Sequence, residues 1–314
     1  MTRCLICTQI VKNGGQYHSK CVQRLFETNK IPTLDASLSQ LHELAKKSVL
    51  QRVTVPGVQS KLSLEINRNT EGTDKLTIVG LWGRYILKPP SSTWAELPEN
   101  EHCTMLLADA AGIETVPFGL IYLSSGEKAY ITKRIDRDKN GNKFAMEDMC
   151  QLTGRLTEDK YKGSHEQIAK VIKKYSANPL FDITRFFELV LFSYLTGNGD
   201  MHLKNFSLFK DPKLGWKLSP AYDLLSTRLV IPKSQDPEEL SLTIAGKKSN
   251  FSIKNFIDFG KLMGLNAKQI ENILGKLLSK KEQFETIIDQ SFLSEELKEN
   301  YRILLFKRMK TLNK

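Results

Sequence analysis

Asn198-Gly199-Asp200-Met201-His202-Leu203-Lys204-Asn205 follows directly on a strongly apolar run, residues 184 to 197 (TRFFELVLFSYLTG), and is followed further on by Ala221-Tyr222-Asp223. The run is hydrophobic on most faces, the pattern of a buried helix. An Asp or Asn alone in a Gly-containing loop reads as a turn former. Together, an Asp, an Asn five residues later and a second Asp in a turn between strand-like segments have a different meaning. Phosphoryl transfer needs an acceptor for the hydroxyl proton and hard oxygen ligands for the cation that neutralises the phosphates. On this reading Asp200 orients or deprotonates the attacking hydroxyl, and Asn205 and Asp223 bind Mg²⁺.

Upstream, from Val53 to about Arg137, the pattern is β-rich. Candidate strands are KLSLEI, KLTIVGL, RYILK, FGLIYL and AYITKRI, with Gly, Asn and Ser turns between several of them. A single helix interrupts them from Glu99 to Ala111, stopped by Gly112. An earlier amphipathic run, Leu34 to Leu50, reads as a helix. Beyond Met146 the chain turns helical, ending in two stretches (267–290 and 294–312) with helical spacing of Leu and Ile. The expected organisation is a Cys/His module over 1–30, a β-rich lobe over 31–136 and a helical lobe over 137–314. The fold class is then α+β, two-lobed and protein-kinase-like, with a small β-rich N-lobe and a larger all-helical C-lobe. Many α+β proteins share such a layout, so it does not name an activity.

Composition narrows the partners more than the chemistry. The net charge of +11 favours polyanions such as nucleotides, nucleic acid or an RNA-bound protein. Residues 1–15 lack the apolar core of a signal peptide and no later stretch has membrane-spanning length, so a cytoplasmic protein is expected, delivery to another cell being a further option. Five cysteines, an odd number, argue against a disulfide framework.

GNGDMHLKNFSLF followed by LSPAYDLLST resembles the catalytic and metal-binding segments of the HipA-like serine/threonine kinases, the toxins of bacterial toxin–antitoxin modules. VPGVQSKLSL, YILKPP, LPENEHCTMLLADAAGI, YITKRIDR and LTIAGKKSNF extend the resemblance from about Thr54 to Leu265, in the same order. It implies ATP and Mg²⁺ as cofactors and a catalytic loop that includes Asp200, His202 and Lys204. Lys88 resembles the lysine that contacts the ATP phosphates, with Glu101 as its ion-pair partner. Gly57, Val58, Gln59 and Lys61 fall in the phosphate-side loop. Lys133, Ile135 and Asp136 resemble the segment that meets adenine and ribose, although a salt bridge to a neighbouring Arg is an equal reading of Asp136. His202 either contacts nucleotide or stabilises its loop. An autophosphorylated hydroxyl in the phosphate-side loop matches Thr54 best, with Ser60 and Ser63 as alternatives.

The resemblance is strongest to the short HipT type, because the loop begins near residue 54 and leaves no room for the extra β-rich subdomain of longer members. It implies a small antitoxin in that subdomain's stead, a helix-turn-helix DNA-binding antitoxin beside it, and an aminoacyl-tRNA synthetase as protein substrate. A small-molecule kinase and a pseudokinase or binding module are the rival readings. Near the start, Cys4-x-x-Cys7 and His18-x-x-Cys21 are spaced like a zinc knuckle around Gly14-Gly15. The ten residues between the pairs are few, and buried free cysteines are common, so structural zinc ranks behind ordinary core cysteines.

Overall fold

The structure, a computed structural model, describes residues 2–12, 14–50, 61–69, 72–80, 82–138 and 140–313. Its contacts divide the chain into two compact units. The first comprises residues 1–103, 116–143 and 290–293; the second comprises 104–115, 144–289 and 294–314.

The first unit is built on an antiparallel sheet of β1 (Leu62–Asn67), β2 (Lys75–Val79), β3 (Tyr85–Lys88), β4 (Phe118–Tyr122) and β5 (Lys128–Lys133), in the order β2-β1-β3-β5-β4. Every second residue of β1 (Leu62, Leu64, Ile66) is buried, which is why the period-2 reading of KLSLEI holds. Helices α1 (Ser19–Phe26) and α2 (Leu38–Leu50) accompany it, and α3 (Leu97–Ala111) starts in this unit, its residues from 104 onward being counted in the second. Helix α3 ends where expected, at Gly112 with φ +79°.

Both sheet edges are covered, which removes open backbone for unwanted pairing. At β2, Thr33 donates to the Asp74 carbonyl and accepts from the Leu76 amide. At β4, the N-terminal segment does the same work: the Leu120 amide donates to the Leu5 carbonyl (2.8 Å) and the Tyr17 hydroxyl donates to the Leu120 carbonyl (3.0 Å). A Cβ at Gly119 would stand 2.7 Å from the Ile6 side chain, so the absence of a side chain there permits this close approach.

The second unit is organised around α6 (Pro179–Thr196), whose residues from Phe186 to Thr196 are all buried. Pro179 starts it and Gly197, with φ +74°, ends it. Around it lie α4 (Met149–Leu152), α5 (His165–Tyr175), α7 (Ile253–Leu262), α8 (Ala267–Leu278), α9 (Lys281–Gln290) and α10 (Glu295–Leu312). The expectation of an all-helical C-lobe needs one correction. A three-stranded antiparallel sheet runs through this unit: β6 (Met146–Asp148), β7 (Ser207–Asp211) and β8 (Gly215–Leu218), in the order β6-β7-β8. These strands are only three to five residues long, too short to display a clear period. The turn between β7 and β8 is set by Asp211, whose carboxylate accepts from the Lys213 and Leu214 amides. Among the described residues no helix is long and apolar enough to cross a membrane.

Candidate active site

Gly197 stops α6, and the chain after it turns sharply while staying largely buried. It forms a tight loop, 198–202, leading into a short 3-10 turn, Leu203–Asn205, and then into β7. The loop is fastened by its own polar groups. The Asn205 side-chain amide donates to the Asp200 carbonyl (2.9 Å), and the Asp200 amide donates to the Asn198 side chain (3.2 Å). With its NH₂ group committed to that carbonyl, Asn205 turns its Oδ1, the atom a hard cation would bind, away from it. Thr227 braces the loop from behind, accepting from the Gly199 amide (2.9 Å) and donating to the Gly197 carbonyl (3.1 Å).

Asp200 is half-buried and its Oδ1 accepts a 2.6 Å hydrogen bond from the Tyr161 hydroxyl. Burial first, then the negative charge of Asp200, Asp223 and Asp236, pushes the Tyr161 phenol well above its ordinary range, so at neutral pH it is a permanent donor. His202 stands edge-on to that ring at 5.1 Å, and among the described residues its Nδ1 has no hydrogen-bond partner. Burial lowers its pKa, while Asp200 and Asp223 oppose the shift. Both carboxylates therefore act on the same two groups.

Asp223 has φ +59°, a left-handed conformation uncommon for a non-glycine residue. Such conformations cluster where a side chain must be aimed for function. Neighbouring Tyr222 anchors it, its hydroxyl bonding the Ser207 hydroxyl (2.5 Å) and the Lys204 carbonyl (3.1 Å). Lys204 itself points to Asp148, Nζ to Oδ2 2.7 Å, and Asp148 also caps α4.

In the first unit, Lys88 at the end of β3 meets Glu101 on α3. Its ammonium lies 2.6 Å from Oε1 and 2.7 Å from Oε2, with side chains 4% and 1% exposed. The Tyr130 ring, opposite Lys88 in the β3–β5 register, lies 5.4 Å from the ammonium. Lys133 pairs instead with Glu27 (2.7 Å), and Asp136 accepts from Arg134 through two contacts of 2.9 and 2.7 Å, the salt bridge that the sequence also allowed. Ile135 is half-buried and Lys61 is exposed. Ser63 lies in β1 and its hydroxyl accepts from the Gly83 amide (3.0 Å). Thr54, Gly57, Val58, Gln59 and Ser60 lie outside the described residues.

Sequence reasoning did not find Tyr161, Asp148 or Thr227. None carries a local signal; each acts on a loop that is distant in sequence. Tyr161→Phe is expected to slow phosphoryl transfer about 3- to 10-fold, the cost of one charge-assisted donor in a partly solvated position. Steady-state rates on the purified variant check this; a rate equal to the parent's would mean that the contact does not orient Asp200.

Residues 53–284 match the model of the HipA-like C-terminal domain. The chain belongs to the HipA-like family. A Haemophilus influenzae protein named “Putative kinase” is 30% identical over 273 residues, 78% of this chain and 77% of that one. The serine/threonine-protein kinase toxin HipA of Shewanella oneidensis is 29% identical over 198 residues, 56% of this chain and 43% of that one. The chain spans 50% and 43% of the length of two further relatives, the putative kinases Y4dM and Y4mE of Sinorhizobium fredii, at 34% and 33% identity. HipA of Shewanella oneidensis MR-1, solved with HipB and its operator DNA, superposes with a TM-score of 0.68 at 22% identity, covering 84% of this chain and 70% of that chain. That likeness establishes the HipA-type kinase fold. It agrees with the two-lobed α+β expectation, and the family match agrees with the resemblance read from the catalytic segments.

Proposed function

We infer that this HipA-like chain is an ATP-dependent serine/threonine protein kinase acting as the toxin of a toxin–antitoxin system. The observation that carries the reading is the hydrogen bond from the Asn205 amide to the Asp200 carbonyl, which locks a proton acceptor and a metal-type oxygen into one short loop. The donor set fits Mg²⁺, since Asp200, Asn205 and Asp223 offer only hard oxygens and two of them are carboxylates. Asn205 and Asp223 would hold the ion, which supplies charge neutralisation for the phosphates when bound. Asp200 accepts the proton of the attacking hydroxyl; Tyr161 holds its carboxylate in orientation. Lys88, held in place by Glu101, binds phosphate oxygens. His202, neutral and buried, stiffens the loop beside nucleotide, and Lys204 is a positioning residue through Asp148. Gly57, Val58, Gln59 and Lys61 would line the phosphates, and Lys133, Ile135 and Asp136 the adenosine.

The protein substrate in this reading is an aminoacyl-tRNA synthetase, a target whose RNA suits a basic kinase. The relative's complex with HipB and operator DNA supports a DNA-binding antitoxin partner here. A small protein replacing the β-rich subdomain of longer members, as in the HipT type, belongs to the same proposal, as does a cytoplasmic location. Autophosphorylation is assigned to Thr54 or Ser60, because the Ser63 hydroxyl is already engaged within β1.

Incubation of the purified chain with Mg-ATP should add phosphate to residues 54–63, and brief expression beside the Asp200→Asn variant should reveal one dominant new phosphoprotein by phosphoproteomics. ATP turnover with no phosphate on any protein would favour a small-molecule kinase. ATP binding with no turnover would favour a pseudokinase. Either result rejects the proposal.

A further inference from the structure

The N-terminal pairs Cys4/Cys7 and His18/Cys21, which play no part in the phosphoryl-transfer reading, converge. One ligand atom from each of the four residues lies within 4.8 Å of all the others. Tetrahedral zinc with Zn–S bonds of about 2.3 Å holds its sulfurs roughly 3.8 Å apart, so only a small inward adjustment separates this cluster from a coordination sphere.

Three features suit a metal better than four core side chains. One tight turn joins Cys4 to Cys7, an arrangement that brings both sulfurs to the cluster. The turn that creates it closes with the Thr8 amide on the Cys4 carbonyl (2.9 Å) and puts Thr8 at φ +60°. Residue 18 is the N-cap of α1, yet its side chain makes no capping bond. Instead His18 Nδ1 lies 3.3 Å from the Cys7 sulfur, and Nε2 donates to the Ile10 carbonyl at 3.1 Å. A carbonyl that holds one ring nitrogen protonated leaves the other with its lone pair directed at the cluster, as around metal-bound histidines. Finally, Cys21 sits in the first turn of α1, whose N-cap is His18, so one helix turn carries both members of the second pair to the cluster. Cys4, Cys7 and Cys21 are free thiols.

We propose that Cys4, Cys7, His18 through Nδ1, and Cys21 bind a single structural Zn²⁺, which clamps the N-terminal segment onto β4 and α3. On binding, three thiol protons are released, leaving three thiolates and one neutral imidazole around the ion. The clamp reaches the Lys88–Glu101 pair by a short route. Leu5 and Ile6, the two residues between the cysteines, supply their carbonyls to the Leu120 amide of β4 (2.8 Å) and to His102 Nε2 of α3 (2.9 Å). His102 directly follows Glu101, the partner of Lys88. Burial lowers the His102 pKa to about 4, so Nε2 donates as a neutral ring across the working pH range. The metal ordering the knuckle therefore also orders the start of α3, and this places the ion in support of the lysine–glutamate pair, apart from Mg²⁺ chemistry.

The test uses the full-length chain purified under reducing conditions with no added metal. Elemental analysis should find about one zinc per chain, and replacement by Co²⁺ should give the absorption of tetrahedral thiolate-bound cobalt. Cys21→Ser should lose at least nine-tenths of the metal, whereas Cys150→Ala, outside the cluster, should keep it. Chelation should raise amide exchange at Leu120 at least 10-fold. The cobalt spectrum of the parent chain decides the matter even where a cysteine variant does not fold. Less than one-tenth zinc per chain with no thiolate–cobalt absorption overturns the proposal, as does a Cys4–Cys21 or Cys7–Cys21 disulfide in the purified protein. None of these readouts depends on kinase activity, so the site stands or falls separately from the proposed function.

Discussion

Asp200→Asn is expected to lower phosphoryl transfer by about 10²- to 10⁴-fold, the usual contribution of a positioned general base, with the fold intact. The substitution keeps the side chain's size, and its amide oxygen still accepts from the Tyr161 hydroxyl that now bonds Asp200 at 2.6 Å. The backbone contacts of the loop, from Asn205 to the Asp200 carbonyl and from the Asp200 amide to Asn198, do not involve the altered atoms. What disappears is the capacity to accept a proton. Melting temperature and Mg-ATP affinity should stay close to those of the parent, which separates this outcome from misfolding. Transfer within about threefold of the parent rate would remove Asp200 from the base role.

The second large effect concerns Lys88 and Glu101. Both side chains are almost wholly buried, so solvent screening offers little relief. Removing one partner of a buried ion pair typically costs about 3–5 kcal/mol, because the remaining charge has lost its counter-charge where water cannot replace it. Glu101→Leu should therefore destabilise the chain by about that amount in urea unfolding. Adding Lys88→Met should restore most of the loss, since a buried pair exchanged for apolar residues is often neutral or better. Activity should behave differently. Both variants should lose phosphoryl transfer by about 10²-fold or more, the scale seen when one electrostatic stabiliser is removed. Recovery of stability without activity would assign the pair a role on the phosphates. A double variant that regains activity together with stability would make the pair structural alone.

Much of this was legible in the chain because it depends on neighbours in sequence. Leu62, Leu64 and Ile66 alternate on one face of β1 whatever lies beyond, and α3 stops at Gly112 because only a residue tolerant of φ +79° continues there cheaply. The candidate catalytic segment was legible for a chemical reason: in the proposed reading, proton acceptor and metal ligands must be particular residue types at a close spacing, which Asp200 and Asn205 supply. The short strands β6, β7 and β8 left no such mark, being too brief to show a period.

Other features depend on residues far apart. Tyr161 meets Asp200 across 39 positions, and Lys204 meets Asp148 across 56. Asp136 could be read as a ribose contact or as half of a salt bridge, and packing puts Arg134 against it. The cysteines and histidine near the start could be core residues or ligands. Spacing alone ranked the core reading first, and the convergence of the four ligand atoms reverses that order.

The sequence by itself thus determined the fold class and the residue types of the candidate catalytic loop, since periodicity, capping and residue chemistry act over a few positions. Only the tertiary structure decided which side chains hold that loop, that Lys88 and Glu101 share one buried contact, and that the two Cys/His pairs bring their ligand atoms together. Each of these is a meeting of segments whose approach is set by the packing of the whole unit, which no local pattern encodes.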